Sequence, residues 1–207
     1  MRTFRCAGCQ GSKDPRYVLN DIIALKGYFQ KKGNHMKPRI PYPKMENLSP
    51  EVRAVVEAFP MNVMRMAANA PASTKALVDL AQSILFYSSF DPRKREIAVL
   101  RVAHVTHSIY EWIHHVSLAK GYNVSDNEIE IILTENPVTS LDEESNLLCR
   151  VADEISRDVR LSDEGLAQIL ERYGAQGATE LILCVSYFNS LSRFLESTRV
   201  ELETPHS

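Results

Sequence analysis

Cysteine is scarce in this chain, long apolar runs are missing, and neither sign of charge dominates. The four cysteines, Cys6, Cys9, Cys149 and Cys184, are too few and too unevenly spaced for a disulfide framework, which fits a reducing compartment and a cytoplasmic protein. Apolar stretches such as 181–185 fall far short of the roughly 20 residues that a membrane-crossing helix needs, so no membrane span is predicted. A net charge of −2, with no basic stripe carrying interleaved aromatics, excludes a general nucleic-acid binder. No segment alternates with period two, so β structure should be near zero. What remains is an ordinary globular composition, 44% hydrophobic and 24% charged over 207 residues, enough for one substantial core in a single domain.

The charge that is present is unevenly placed. Residues 1–35 carry Arg2, Arg5, Lys13, Arg16, Lys26, Lys31 and Lys32 against Asp14 and Asp21, a balance of +5 that leaves −7 for the remaining 172 residues. Such a basic leader reads in three ways. It is a disordered arm, a mitochondrial-type targeting segment with an amphipathic patch from Tyr17 to Phe29, or sequence upstream of a start at Met36 that the mature protein lacks. Only the targeting reading would move the protein from the cytoplasm to the mitochondrion. Cys6-x-x-Cys9 lacks the second ligand pair or strand-helix context that a zinc or redox site requires.

From Met36 onward the punctuation is helical. Ser49-Pro50-Glu51 places a capping serine before a proline suited to the first turn, opening a helix to about Phe59 that Pro60 stops. Further helices are predicted over Asn62–Asn69 and Pro71–Tyr87, and Asp91-Pro92 repeats the cap-plus-proline start. Gly121 and Asn123 end the central segment, and Ser125-Asp126-Asn127-Glu128 is a capping box for a helix to about Leu133. Helices over 141–156, 162–173 and 177–198 complete the pattern.

Polar groups concentrate between Asp91 and Gly121. On one continuous helix, His104, Ser108, Glu111 and His115 would share a stripe within about 60°, while Glu96 would lie about 28 Å from His115. Cooperation of Glu96 with His115 therefore requires a break, predicted near 106–108, and a fold-back into a helical hairpin. Ser108-x-x-Glu111 is also a capping-box pattern, which alone would account for both residues. His104 and His107 read equally well as partly buried residues or as caps of the preceding helix. His115 is the stronger candidate, because Glu111 one turn before it can set its tautomer and raise its basicity. Glu111-x-x-His114 supplies half of a carboxylate-bridged di-iron motif, but no second Glu-x-x-His lies on another predicted helix and no metal site is expected. Ser108 and His115 stand about 10 Å apart along a helix, too far for a serine-hydrolase pair.

Taken together, Asp91-Pro92-Arg93-x-Arg95-Glu96, Tyr110-Glu111-Trp112-x-x-His115, Gly121 and Ser125-x-x-Glu128-Ile129 resemble the carboxymuconolactone decarboxylase family, within the superfamily that includes alkylhydroperoxidase D. The resemblance runs from Pro38-Arg39-Ile40-Pro41 to Val200-Glu201, including Asn62-Val63-x-Arg65-Met66 and the closing stretch from Glu180 to Phe194. It implies an all-α, alkylhydroperoxidase D-like bundle of about seven to nine helices with a central helical hairpin. A homo-oligomer (dimer, trimer or hexamer) acting on a small molecule without a cofactor is also implied. In the peroxidase branch, a glutamate, a Cys-x-x-Cys and a histidine form a proton relay with a redox disulfide. Those positions are Glu96, Ser108, Glu111 and His115 here, so both cysteines are replaced. Without a thiolate there is no nucleophile to reduce a peroxide.

What is left is acid-base equipment. Glu96, Glu111 and His115 are the expected catalytic residues, with Ser108, Tyr110 and His107 orienting the substrate. The expected reaction is decarboxylation or lactone processing of a small carboxylated substrate, with His115 as proton donor. A peroxidase dependent on Cys149 or Cys184 and a non-catalytic helical oligomer are the alternatives.

Overall fold

The computed structural model describes residues 37–203, so the expectations for the basic leader and for Cys6-x-x-Cys9 lie outside the described residues. Among the described residues there are eight α-helices and no strand. After an extended segment and a 3-10 turn at Met45–Asn47 come α1 (Pro50–Ala58), α2 (Asn62–Ala67) and α3 (Pro71–Gln82), whose last turn widens into a π-turn over Ser83–Tyr87. The helical hairpin α4 (Pro92–Val105) and α5 (Ile109–Gly121) follows, then α6 (Asp126–Thr134), α7 (Glu143–Asp158) and α8 (Asp163–Thr198).

The helix starts lie where short polar side chains can satisfy free amides. Asp91 accepts from the Lys94 amide (3.0 Å), Asp142 from that of Ser145 (2.9 Å) and Ser162 from that of Gly165 (3.1 Å). At α6 the capping box is complete, with Glu128 reaching back to the Ser125 amide at 2.9 Å. Four starts thus follow directly from local sequence.

The sequence predicts two separate final helices, over 162–173 and 177–198, and the structure has them, meeting at a kink within α8. At Gly174 the backbone leaves the helical region, with φ 65° and ψ −179°. That region is open essentially to glycine alone, so the residue interrupts the helix and redirects the chain into the next one.

α4 is the central element, packed against α5, α6, α7 and α8. Its residues from Arg95 to His104 are all buried. Ile97, Leu100, Trp112, Leu148 and Leu181 have no exposed surface and form the middle of the core. Burial on every side leaves α4 without a solvent face, so its charges need partners inside the protein. Arg101 finds them in Asp153 (2.6 and 2.8 Å), in the Ile132 and Glu135 carbonyls (3.1 and 2.8 Å) and in Asn136 (3.2 Å). One guanidinium thereby ties α4 to α7 and to the end of α6.

The two ends of the described chain meet. The Arg39 amide donates to the Thr198 carbonyl at 2.9 Å, the Glu201 amide to the Tyr42 hydroxyl at 3.2 Å, and the Asn62 side-chain amide to the Glu201 carbonyl at 3.0 Å. Residues 199–203 form a strap across the starts of α2 and α5.

Gly174→Ala should lower unfolding free energy by about 1–3 kcal/mol, because a Cβ at this φ is strained although nothing crowds it within 4 Å. Urea denaturation measures the loss, and unchanged stability would mean that the bend relaxes freely.

Candidate active site

The hairpin turn between α4 and α5 builds the site. α4 ends in a Schellman arrangement: the His107 amide donates to the His104 carbonyl at 3.1 Å and the Ser108 amide to the Ala103 carbonyl at 2.9 Å. His107 takes the left-handed position at φ 57° and stands exposed, turned out of the core. α5 then starts with Ser108 at its N-cap position and runs back along α4. Glu96 and His115, nineteen residues apart in sequence, are brought into contact.

His115 sits between two carboxylates. Its Nδ1 lies 2.6 Å from Glu96 Oε2, and its Nε2 lies 3.3 Å from Glu111 Oε2. The other Glu96 oxygen accepts from Arg95 Nε at 3.1 Å. Glu96 is fully enclosed, and Arg95, Glu111 and His115 are each no more than 5% exposed. Phe188 of α8 meets the imidazole edge-on, with ring centroids 4.8 Å apart. Burial opposes charge on His115, but the attraction of Glu96 and the hydrogen bonds to both glutamates outweigh it and raise its pKa to about 9. The imidazole is thus a protonated donor at neutral pH.

The capping-box reading of Ser108 and Glu111 is not realised. The Ser108 side chain makes no cap hydrogen bond, and Glu111 turns to His115 instead of back to the helix start. A carboxylate gains more from a buried cation than from one amide, so the ion pair wins. The Ser108 hydroxyl is buried without a well-formed hydrogen bond. Glu196 of α8 approaches it and the Ile109 amide, and burial raises the Glu196 pKa against their opposing pull.

The other sequence candidates lie apart from this cluster. Tyr110 donates to Glu203 Oε1 at 2.5 Å and accepts from the Val63 amide at 3.3 Å. His114 Nε2 lies 2.8 Å from Glu203 Oε2, so it does not share a ligand position with Glu111. The Asn62 amide adds a third contact to Glu203 at 2.7 Å. Burial raises the Glu203 pKa, but these hydrogen bonds prevail and hold it down at about 2. His104 stays on α4, away from the α5 stripe. Burial and the Arg101 charge lower its pKa to about 4.

Sequence reasoning missed Tyr187 and Glu203, which had no signal because tertiary packing supplies them. Arg95 was visible only as a motif position, and Cys184 only as the thiol of the peroxidase alternative. Cys184 is close enough to Glu96 and Arg95 to feel both charges. Burial first, and then the Glu96 charge, push its thiol pKa far up. Burial likewise pushes Cys149 up to about 12.

Residues 71–154 match the carboxymuconolactone decarboxylase family. The matched segment begins at α3, ends inside α7, and contains Glu96, Ser108, Glu111 and His115. The fold of the described chain is alkylhydroperoxidase D-like. An alkylhydroperoxidase D core structure, an uncharacterized peroxidase-related protein from Ralstonia eutropha JMP134, superposes with a TM-score of 0.69 at 13% identity, covering 82% of this chain and 94% of its own. An uncharacterized peroxidase-related protein from Silicibacter sp. TM1040 gives 0.66 at 15% identity, with 83% and 96% covered. A protein of unknown function from Agrobacterium tumefaciens, described as of the alkylhydroperoxidase D type, gives 0.57 at 16% identity, with 67% and 95% covered. No curated protein matches the chain. At these identities the structural likeness speaks for the fold alone.

The raised pKa of His115 has a pH signature. A group whose pKa rises on folding stabilises fully below its unfolded value, here 6.5, and loses that contribution as pH climbs through about 9. The shift corresponds to at most about 3 kcal/mol. Thermal unfolding should therefore show a falling Tm between those pH values, with the fall reduced in His115→Gln. An equal fall in both proteins would contradict a charged His115.

Proposed function

We propose that this protein is a cofactor-free acid-base enzyme of the carboxymuconolactone decarboxylase type, a decarboxylase or lactone-processing enzyme for a small carboxylated substrate. The observation that carries the reading is His115 held between Glu96 at 2.6 Å and Glu111 at 3.3 Å, an arrangement that favours its protonated form. In decarboxylation, the bond between the carboxylate and its neighbouring carbon breaks. The electron pair moves into an adjacent carbonyl to give an enolate, and carbon dioxide leaves. His115 delivers its proton to the enolate carbon, and the neutral imidazole regains a proton from solvent. Glu96 keeps the ring oriented, and Arg95 balances part of the negative charge.

The peroxidase-related relatives favour a second reading, thiol redox chemistry, and Cys184 does lie beside Glu96. Its thiol is kept protonated, and the positions that carry the superfamily's redox pair hold Ser108 and Glu111. Acid-base chemistry is the better account. On a carboxymuconolactone-type substrate, His115→Gln and Glu96→Gln should each lower kcat by about 100-fold or more, while a Cys149→Ser, Cys184→Ser double variant stays active. Hydroperoxide reduction lost in the cysteine variant but kept in His115→Gln would reverse the assignment.

The reading includes a cytoplasmic homo-oligomer, a dimer, trimer or hexamer. Phe86 and Tyr87, at the end of the π-turn, are 65% and 74% exposed and Leu183 is 46% exposed, apolar surface that self-association would cover. Light scattering should give a multimeric mass for the wild type and a smaller one for Phe86→Ser, Tyr87→Ser. A monomeric wild type would end this part of the reading.

A further inference from the structure

Within reach of the Glu111 charge stands a polar group that the proton-transfer chemistry does not use. Tyr187 of α8 is 6% exposed, and its hydroxyl has no hydrogen-bond partner. The Glu111 charge reaches it, yet the Glu111 carboxylate does not accept its proton. The ring packs edge-on against Phe188, with centroids 5.1 Å apart, and Phe188 packs edge-on against His115. The phenol is thereby locked on the same aromatic ledge that seats the imidazole. The buried hydroxyl of Ser108, likewise without a well-formed hydrogen bond, lies one turn before Glu111.

Buried hydroxyls without partners are uncommon in folded proteins, because a donor removed from water loses its hydrogen bond and gains nothing. Pure packing at this position would be served better by phenylalanine. Burial and the Glu111 charge also keep the phenol protonated, so it can only be a donor at neutral pH. A neutral donor beside an acid-base pair suits an uncharged acceptor that gains electron density during reaction, which is the behaviour of a carbonyl oxygen.

We propose that Tyr187 is a substrate-contacting residue of this site, its hydroxyl donating to a ketone or lactone carbonyl oxygen on the ligand. The inference rests on the acid-base reading and names the group that the substrate must carry in addition to its carboxylate. As the carbonyl becomes an enolate, the contact strengthens, so Tyr187 contributes to electrophilic activation while His115 supplies the proton.

Binding of levulinate, a small carboxylate with a ketone, compared with pentanoate, which lacks it, tests the proposal. Calorimetry on the full chain should show levulinate bound about tenfold more tightly than pentanoate by the wild type and by His115→Gln. In Tyr187→Phe that preference should shrink to within about twofold, with pentanoate affinity and Tm unchanged, since only an unpaired hydroxyl is removed. A preference preserved in Tyr187→Phe overturns the proposal, and so does a wild type that binds neither ligand or both equally. If the glutamate and histidine variants leave turnover intact while the levulinate preference still depends on Tyr187, the proton-transfer reading fails and the carbonyl contact stands.

Discussion

The contact between Glu96 and His115 is the constraint on which the rest of the architecture depends. It requires that α4 and α5 run back along one another, and therefore that the chain reverse within three residues, 106–108. It also requires that a carboxylate with no exposed surface find cationic partners, which His115 and Arg95 provide. The enclosed group of two glutamates, one imidazolium and one guanidinium is close to neutral overall. Removing any single member leaves a buried charge unpaired, at a typical cost of about 3–5 kcal/mol. The same arrangement that stores a transferable proton thus also stiffens the hairpin.

Much of this was legible in the sequence because it is local. Caps at Asp91, Ser125, Asp142 and Ser162 act on amides three residues away, and Asp91-Pro92 fixes the start of α4 whatever packs against it. The hairpin was implied by the family resemblance and agreed with distance, since Glu96 and His115 could not meet on a straight helix. What failed were competitions between a local and a distant partner. Ser108 and Glu111 fit a capping box, but a buried imidazolium one turn along α5 outbids an amide for the carboxylate. Tyr110 and His114 adjoin the key residues in sequence, yet helical geometry aims them at Glu203. Glu203 and Tyr187 lie far along the chain, with no periodicity to mark them, and only the fold brings them in. The boundary expected between 173 and 177 is where Gly174 takes its non-helical backbone.

Serine and glutamate stand where the resembled peroxidase branch carries its redox pair, and the proposed chemistry accordingly moves protons and not electrons. A thiolate needs a positive, partly exposed setting, whereas the thiol that remains nearby, Cys184, faces burial and a neighbouring carboxylate. The fold is shared with peroxidase-related proteins, but fold carries no commitment to chemistry.

The strap that joins the chain ends has a mechanical meaning. Arg39 and Thr198 are hydrogen-bonded neighbours, so both ends of the described chain leave from one place, the geometry that lets a domain be spliced into a host loop through short tethers. At its C-terminal end the strap is held by the Glu203 carboxylate, which accepts from the Asn62 amide and the Tyr110 hydroxyl and pairs with the His114 ring, so that end is anchored in the same first turns of α5 that carry Glu111 and His115.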